Sequence, residues 1–108
     1  MDVPERGDVV WIDFDPQAGH EQAGRRPAIV LSPASYNRRS SLALICPITS
    51  QAKGYPFEVV IPSGLGVTGV VLSDQARNLD WRARKASLTT RLPAAVTNEV
   101  SKKLKTLL

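Results

Sequence analysis

The chain has 108 residues, of which 43% are hydrophobic and 22% charged, and this composition excludes an intrinsically disordered protein. No apolar run approaches the roughly 20 residues that span a bilayer, and the first residues lack the apolar core of a signal peptide. A single cysteine, Cys46, excludes an internal disulfide. We therefore predict one domain over residues 1–108, in the cytoplasm and away from membranes. The formal net charge of +4 favours an anionic partner.

Five stretches rich in β-branched, aromatic or alternating apolar residues predict strands. These strands are predicted at Gly7–Phe14, Ala28–Leu31, Ser41–Thr49, Tyr55–Ile61 and Gly69–Leu72. Ser32–Asn37 is predicted as a turn with at most one helical turn, and Trp81–Leu88 as a shorter extended piece. No crossover helix separates the strands, so we expect antiparallel pairing.

The C-terminus changes to helical spacing after Pro93. Val96, Val100, Leu104 and Leu107 recur at the period of one helix face. The predicted fold class is therefore mainly β: a compact antiparallel sheet or partial barrel, covered by a C-terminal α-helix.

A polar loop of about eleven residues precedes the second strand, longer than is usual in a small domain. It carries His20, Glu21 and Gln22 and ends at Arg25 and Arg26. Because a guanidinium matches phosphate and carboxylate geometry, this loop indicates an anionic ligand.

Further polar residues end the third and fifth predicted strands, and antiparallel pairing could bring them to one edge. These residues are Thr49, Ser50, Gln51, Asp74 and Gln75. Such a set suits phosphodiester cleavage without metal, in which a 2′-hydroxyl attacks and a base, a cation and an acid assist. Arg26 suits the cation and Thr49 suits a hydrogen bond to phosphate. Arginine stays protonated and cannot serve as the base.

Several assignments remain open on residues alone. The base is one of Glu21, His20 or Asp74. Each polar residue also has a structural interpretation, since Thr49 can form a turn and Arg26 can pair with Glu21. Trp11 and Trp81 suit the core or an interface, whereas Tyr55 and Phe57, beside Lys53, suit single-stranded bases. We expect no metal site and no cofactor, because ligand spacing is missing.

Five blocks of sequence together resemble the MazF toxins, which form one toxin family with PemK and Kid. These blocks are residues 7–16 (GDVVWIDFDP), 21–33 (EQAGRRPAIVLSP), 49–60 (TSQAKGYPFEVV), 74–75 (DQ) and 81–84 (WRAR). They span nearly the whole chain in order and with family-like spacing.

The resemblance implies a sequence-specific, metal-independent endoribonuclease toxin that cleaves single-stranded mRNA and leaves a 2′,3′-cyclic phosphate and a 5′-hydroxyl. It also implies an SH3-like CcdB/PemK toxin fold, a homodimer, and a cognate MazE-type antitoxin. The disordered tail of that antitoxin would cover the RNA groove as it folds on the toxin dimer.

The resemblance also implies roles for individual residues. Arg26 and Thr49 match the catalytic pair of MazF-type members, with Glu21 beside them. The Kid-type description uses a loop histidine and a late aspartate, matched by His20 and Asp74, but its arginine is replaced by Leu72. The RNA-binding residues would be Gln22, Arg25, Ser50, Gln51, Lys53, Tyr55, Phe57 and Gln75.

Two other functions stay open. A toxin of the same fold can act without cutting nucleic acid, as the gyrase-binding toxin CcdB does. A small RNA-binding module would keep its affinity and leave RNA intact.

Overall fold

The computed structural model describes residues 2–15 and 24–108. Its elements, in chain order, are β1 Asp8–Asp13, β2 Arg25–Val30, α1 Ala34–Ser40, β3 Leu42–Thr49, β4 Glu58–Val60, β5 Val70–Leu72, β6 Arg77–Asp80, β7 Ser87–Arg91 and α2 Ala94–Lys105. The predicted mainly β fold with a C-terminal helix is confirmed. In the described part of the chain, no helix is long and apolar enough to cross a membrane.

Within the described residues, the strands form one open seven-stranded sheet in the order β4-β5-β3-β2-β1-β7, with β6 also paired to β3. Every strand pairing found between residues 8 and 91 is antiparallel, as predicted. β3 is the longest strand. On one side it pairs with β2, and on the other it pairs first with β6 and then, at Ile48 and Thr49, with β5.

Apolar residues cover both faces of this sheet, so β3 is buried on two sides. Successive side chains of a strand point to opposite faces, so Cys46 and Ile48 pack into one core and Ala43 and Ile45 into the other. Helix α2 covers the first core through Val96, Val100 and Leu104.

The predicted extended piece Trp81–Leu88 is wrong. Residues 81–85 form a turn, and two strands flank it: β6 ends at Asp80 and β7 begins at Ser87. The turn is held by the carboxylate of Asp80, which accepts the N–H groups of Ala83 at 2.9 Å and Arg82 at 3.1 Å. The Ala83 hydrogen bond above all lowers the pKa of Asp80, since it favours the charged form.

Helix α1 is longer than the predicted turn, because buried Asn37 organises this part of the chain. The Asn37 amide donates to the carbonyls of Pro4 and Ser32 at 2.8 and 3.1 Å, and its Oδ1 accepts the Ser32 hydroxyl. Its backbone carbonyl accepts Nε1 of Trp81 at 2.9 Å. Asn37 thus ties the N-terminus, α1 and the β6–β7 turn together.

Candidate functional site

An open cavity of about 570 Å³ lies where the start of β2 meets the ends of β3 and β5. Nine of the residues that line it were predicted from the sequence as site residues: Arg26, Thr49, Ser50, Gln51, Lys53, Tyr55, Phe57, Asp74 and Gln75. The expected convergence of strand ends at one edge is therefore observed, while the chemical roles of these residues remain predictions.

The antiparallel register explains why Arg26 and Thr49 line the same cavity. Ala28 pairs with Pro47, and continuing that register by two residues places Arg26 opposite Thr49. Arg26 is the second residue of β2 and pairs with Ile12 of β1, so its assignment to the loop was wrong. A guanidinium that extends from a paired strand is held more firmly than one on a loop.

Thr49 is the last residue of β3 and its residue surface is only 9% exposed. Its hydroxyl oxygen accepts the backbone N–H of Gln51 at 3.2 Å, which turns the chain away from the strand. Behind Thr49 lies Gly69, at a φ of +113°; a Cβ placed there would lie 2.0 Å from the Thr49 carbonyl oxygen. The close approach of β5 to Thr49 therefore requires glycine at this position.

The loop between β3 and β4 brings a cation and aromatic rings to the cavity. Nζ of Lys53 lies 5.9 Å from the centroid of the Tyr55 ring, and Tyr55 is 60% exposed. Phe57 is half-buried at the same wall. Exposed rings beside a positive charge suit stacking with unpaired bases.

Asp74 follows β5 and reaches the cavity as an exposed carboxylate, with Gln75 beside it. Near this carboxylate lies the thiol of Cys46, which is fully buried. Desolvation, and to a smaller extent the charge of Asp74, raises the pKa of Cys46 to about 12. The thiol is therefore neutral at physiological pH and does not act as a nucleophile.

Arg25, predicted to bind RNA, is placed differently from its neighbour. Its guanidinium lies 3.1 Å from the Asp13 carboxylate and donates to the Lys85 carbonyl at 2.8 Å and to Ser87 at 3.2 Å. It lines a second recess of about 470 Å³, to which Arg26 also contributes. These contacts join β1, β2 and the β6–β7 turn, which is a structural role.

The predictions for His20, Glu21 and Gln22 lie outside the described residues. Sequence reasoning missed Glu58 and Leu72, which also line the cavity. The alternation of strand four carried the signal for Glu58, because it places that carboxylate on the face opposite Val59.

Together these groups supply a cation, a hydroxyl, a carboxylate and aromatic surface around one open cavity. Within residues 2–15 and 24–108, no group of three or more His, Cys, Asp or Glu could hold a metal ion. The arrangement suits an extended polyanion, because it combines a guanidinium and a hydroxyl with exposed aromatic surface.

Comparisons with known proteins agree on one family. The family model described as PemK-like, MazF-like toxin of type II toxin-antitoxin system matches residues 5–108. The endoribonuclease toxin MazF of Escherichia coli (strain K12) is 55% identical over 85 residues, covering 79% of this chain and 76% of that protein.

Two solved structures from Deinococcus radiodurans resemble this fold across its length. A crystal structure of MazF has 59% identity and a TM-score of 0.95, covering 97% of this chain and 96% of the other. A MazE–MazF crystal structure has 59% identity and a TM-score of 0.88, covering 97% and 95%.

Proposed function

This chain belongs to the family of PemK-like, MazF-like toxins of type II toxin–antitoxin systems, and we propose that it is an endoribonuclease that cuts single-stranded mRNA at a specific sequence. The proposed reaction needs no metal and leaves a 2′,3′-cyclic phosphate and a 5′-hydroxyl. Cleavage of mRNA by such a toxin arrests translation and growth.

One observation carries this proposal: Arg26 and Thr49 line the same open cavity, at adjacent positions of paired strands. A charged fork and a hydroxyl at one point suit a phosphate whose negative charge rises during the reaction. The 55% identity to an endoribonuclease toxin supports the same reaction here.

The roles follow from the chemistry of each group. Arg26 would stabilise the charge that develops on the phosphate, and Thr49 would hydrogen-bond one of its oxygens. The 2′-hydroxyl needs a proton acceptor and the 5′-oxygen a proton donor. Asp74 is the candidate that lines the described cavity, and Glu21 and His20 are the candidates on the loop.

RNA recognition would use the loop after Thr49. Ser50 and Gln51 offer hydrogen-bonding groups, while Lys53 offers a charge and Tyr55 a stacking surface. Single-stranded bases can be unstacked and read on their edges, so the sequence preference would depend on this loop.

The test is cleavage of a long RNA of mixed sequence in EDTA by the purified protein, followed by mapping of the new 5′-hydroxyl ends. We expect cuts at one short sequence, and Thr49→Val, which keeps the shape and removes the hydroxyl, should cut far more slowly. Intact RNA would overturn the proposal. Inhibition of DNA supercoiling by gyrase would then indicate a gyrase-binding toxin, and RNA binding without cuts a binding module.

The proposed partners are a MazE-type antitoxin and a second copy of this chain. The D. radiodurans MazE–MazF structure, at 59% identity, supports the antitoxin. Trp11 of β1, which is 41% exposed, offers apolar surface for a homodimer. The mRNA substrate places the activity in the cytoplasm.

Both partners can be measured. Light scattering should give twice the chain mass at micromolar concentration, and a monomer would contradict the dimer. Titration with a MazE-type antitoxin should stop RNA cleavage, whereas unchanged cleavage at saturation would contradict that pairing.

A further inference from the structure

Glu58 places a negative charge in a cavity proposed to hold a polyanion. It lines the cavity with Arg26 and Lys53, and it is the first residue of β4. A carboxylate there opposes RNA binding on charge alone, because like charges repel. Its position therefore requires another explanation.

The contacts of its side chain supply that explanation. Oε1 and Oε2 accept the backbone N–H of Lys53 at 3.2 and 3.1 Å, and Oε1 also accepts the N–H of Gly54 at 3.0 Å. Amide groups that converge on a carboxylate neutralise part of its charge and make charge-assisted hydrogen bonds. The carboxylate thus binds the chain five and four residues before Glu58 itself.

The loop that Glu58 holds has few other restraints. Residues 51–56 are all exposed, so burial does not fix their conformation. Gly54 has a φ of +78°, with nothing within 4 Å of a Cβ placed on it. At its far end the loop is closed by the Glu58 N–H, which donates to the Tyr55 carbonyl at 3.0 Å.

Helix α2 in turn holds the backbone of Glu58 in place. Nζ of Lys103, on α2, donates to the Glu58 backbone carbonyl at 2.9 Å. Val59, the next residue, is fully packed in the core beneath α2. The carboxylate therefore extends from a well-packed strand to an exposed loop.

We propose that Glu58 is a positioning residue, which holds Lys53–Tyr55 in the conformation that receives RNA. This inference rests on the proposed ribonuclease function. Both carboxylate oxygens are occupied by amide groups, so Glu58 would act on RNA affinity and sequence choice and not in proton transfer.

Glu58→Gln keeps the shape of the side chain and removes its charge. This variant distinguishes repulsion of RNA by the charge from positioning of the loop by the hydrogen bonds. If only the charge mattered, RNA would bind more tightly. The hydrogen bonds from Lys53 and Gly54 to the Glu58 carboxylate form a clamp on the loop. If this clamp positions the loop, KM should rise by about tenfold while kcat changes little, because the amide group cannot accept all these hydrogen bonds. Glu58→Ala removes every acceptor and should raise KM further.

The experiment measures kcat and KM of the full chain on a short RNA that contains the mapped cleavage sequence. Glu5→Gln is the matched control, since it removes the same charge from an exposed residue before β1. Thermal unfolding shows whether each variant is folded. A KM that is unchanged or lower for Glu58→Gln overturns the proposal, and so does a large loss of kcat at constant KM.

A second readout separates this inference from the ribonuclease itself. Amide hydrogen exchange at Lys53 and Gly54 should accelerate in Glu58→Gln and stay unchanged in Glu5→Gln. If the parent protein cuts no RNA, the proposed function fails while the exchange rates still test the clamp. Equal exchange rates in parent and Glu58→Gln would overturn the clamp even where RNA is cut.

Discussion

Along β2, Arg25 and Pro27 lie on one face of the sheet, and Arg26 and Ala28 lie on the other. The Arg25 side is tied into the scaffold through Asp13 and the β6–β7 turn. The Arg26 side opens into the cavity with Thr49. Two arginines that are adjacent in sequence therefore differ in role: Arg25 holds the scaffold, and Arg26 lines the proposed site. They differ because successive side chains of one strand point to opposite faces.

Arg26→Ala should give the largest effect on the cavity side. Loss of a charge that stabilises the transition state costs about 10²–10³-fold in rate, so RNA cleavage should fall by that factor. Unfolding free energy should change by less than about 1 kcal/mol, since Arg26 is half-buried at a strand end. Arg26→Lys should recover little activity, because lysine lacks the planar fork. A destabilisation of several kcal/mol with normal activity when folded would contradict this.

Gly69→Ala tests whether the cavity depends on the strand that supports Thr49. The new Cβ would lie 2.0 Å from the Thr49 carbonyl oxygen and 2.8 Å from its carbon, so β3 and β5 must separate. We expect a loss of about 2–4 kcal/mol in unfolding free energy and a fall in kcat of the protein that remains folded.

Gly64→Ala is the matched control. Gly64 also has a positive φ, +85°, but nothing lies within 4 Å of a Cβ there. It should lose about 1 kcal/mol from backbone strain alone and keep its activity. Equal losses in the two variants would show that the contact with Thr49 does not matter.

Arg25→Ala should affect the scaffold side and leave the reaction largely intact. The ion pair with Asp13 is 40% exposed on both side chains, so its contribution is small, and with the two further hydrogen bonds the loss is about 1 kcal/mol. Chemical or thermal unfolding measures that loss. RNA cleavage should stay within about threefold of the parent, because structural and chemical effects at separate sites are nearly independent. A hundredfold loss would place Arg25 in the RNA site.

Cys46 should have no effect at neutral pH, and its effect should appear only at alkaline pH. The folded thiol has its pKa raised from 9.0 to about 12, so above pH 9 the unfolded chain releases a proton that the folded chain keeps. Ionisation then favours the unfolded chain, and stability falls as pH rises, by up to about 1.4 kcal/mol per pH unit. Urea unfolding between pH 9 and 11 should show a shallower decline for Cys46→Ala than for the parent. Parallel declines would contradict the raised pKa.

The strands with strong apolar patterns were predictable from the sequence, and the two polar ones were not. β3 is apolar along its length and was found, whereas β6 (RNLD) and β7 (SLTTR) expose much of their surface and lack a period-two signal. Trp81 favours a strand on the sequence alone, because aromatic residues favour strands, but its burial in the core places it in a turn.

Most residues of the candidate site could be predicted from the sequence, but their positions relative to one another could not. Nothing local distinguishes Arg25 from Arg26; only the pairing of β2 with β1 and β3 decides which one faces Thr49. The alternation of strand four places Glu58 on the face opposite Val59, but it does not predict the contacts of Glu58, because its partners are backbone N–H groups, which have no sequence signature.

A short RNA carrying the mapped cleavage sequence, with one 2′-deoxy nucleotide on the 5′ side of the scissile phosphate, tests directly whether the 2′-hydroxyl is the nucleophile. We expect this RNA to bind, to compete with the all-ribose substrate, and to stay uncut at that phosphate, because the attacking hydroxyl is gone. Cleavage at the substituted position would contradict the proposed reaction, since the nucleophile would then have to be water or a group of the protein.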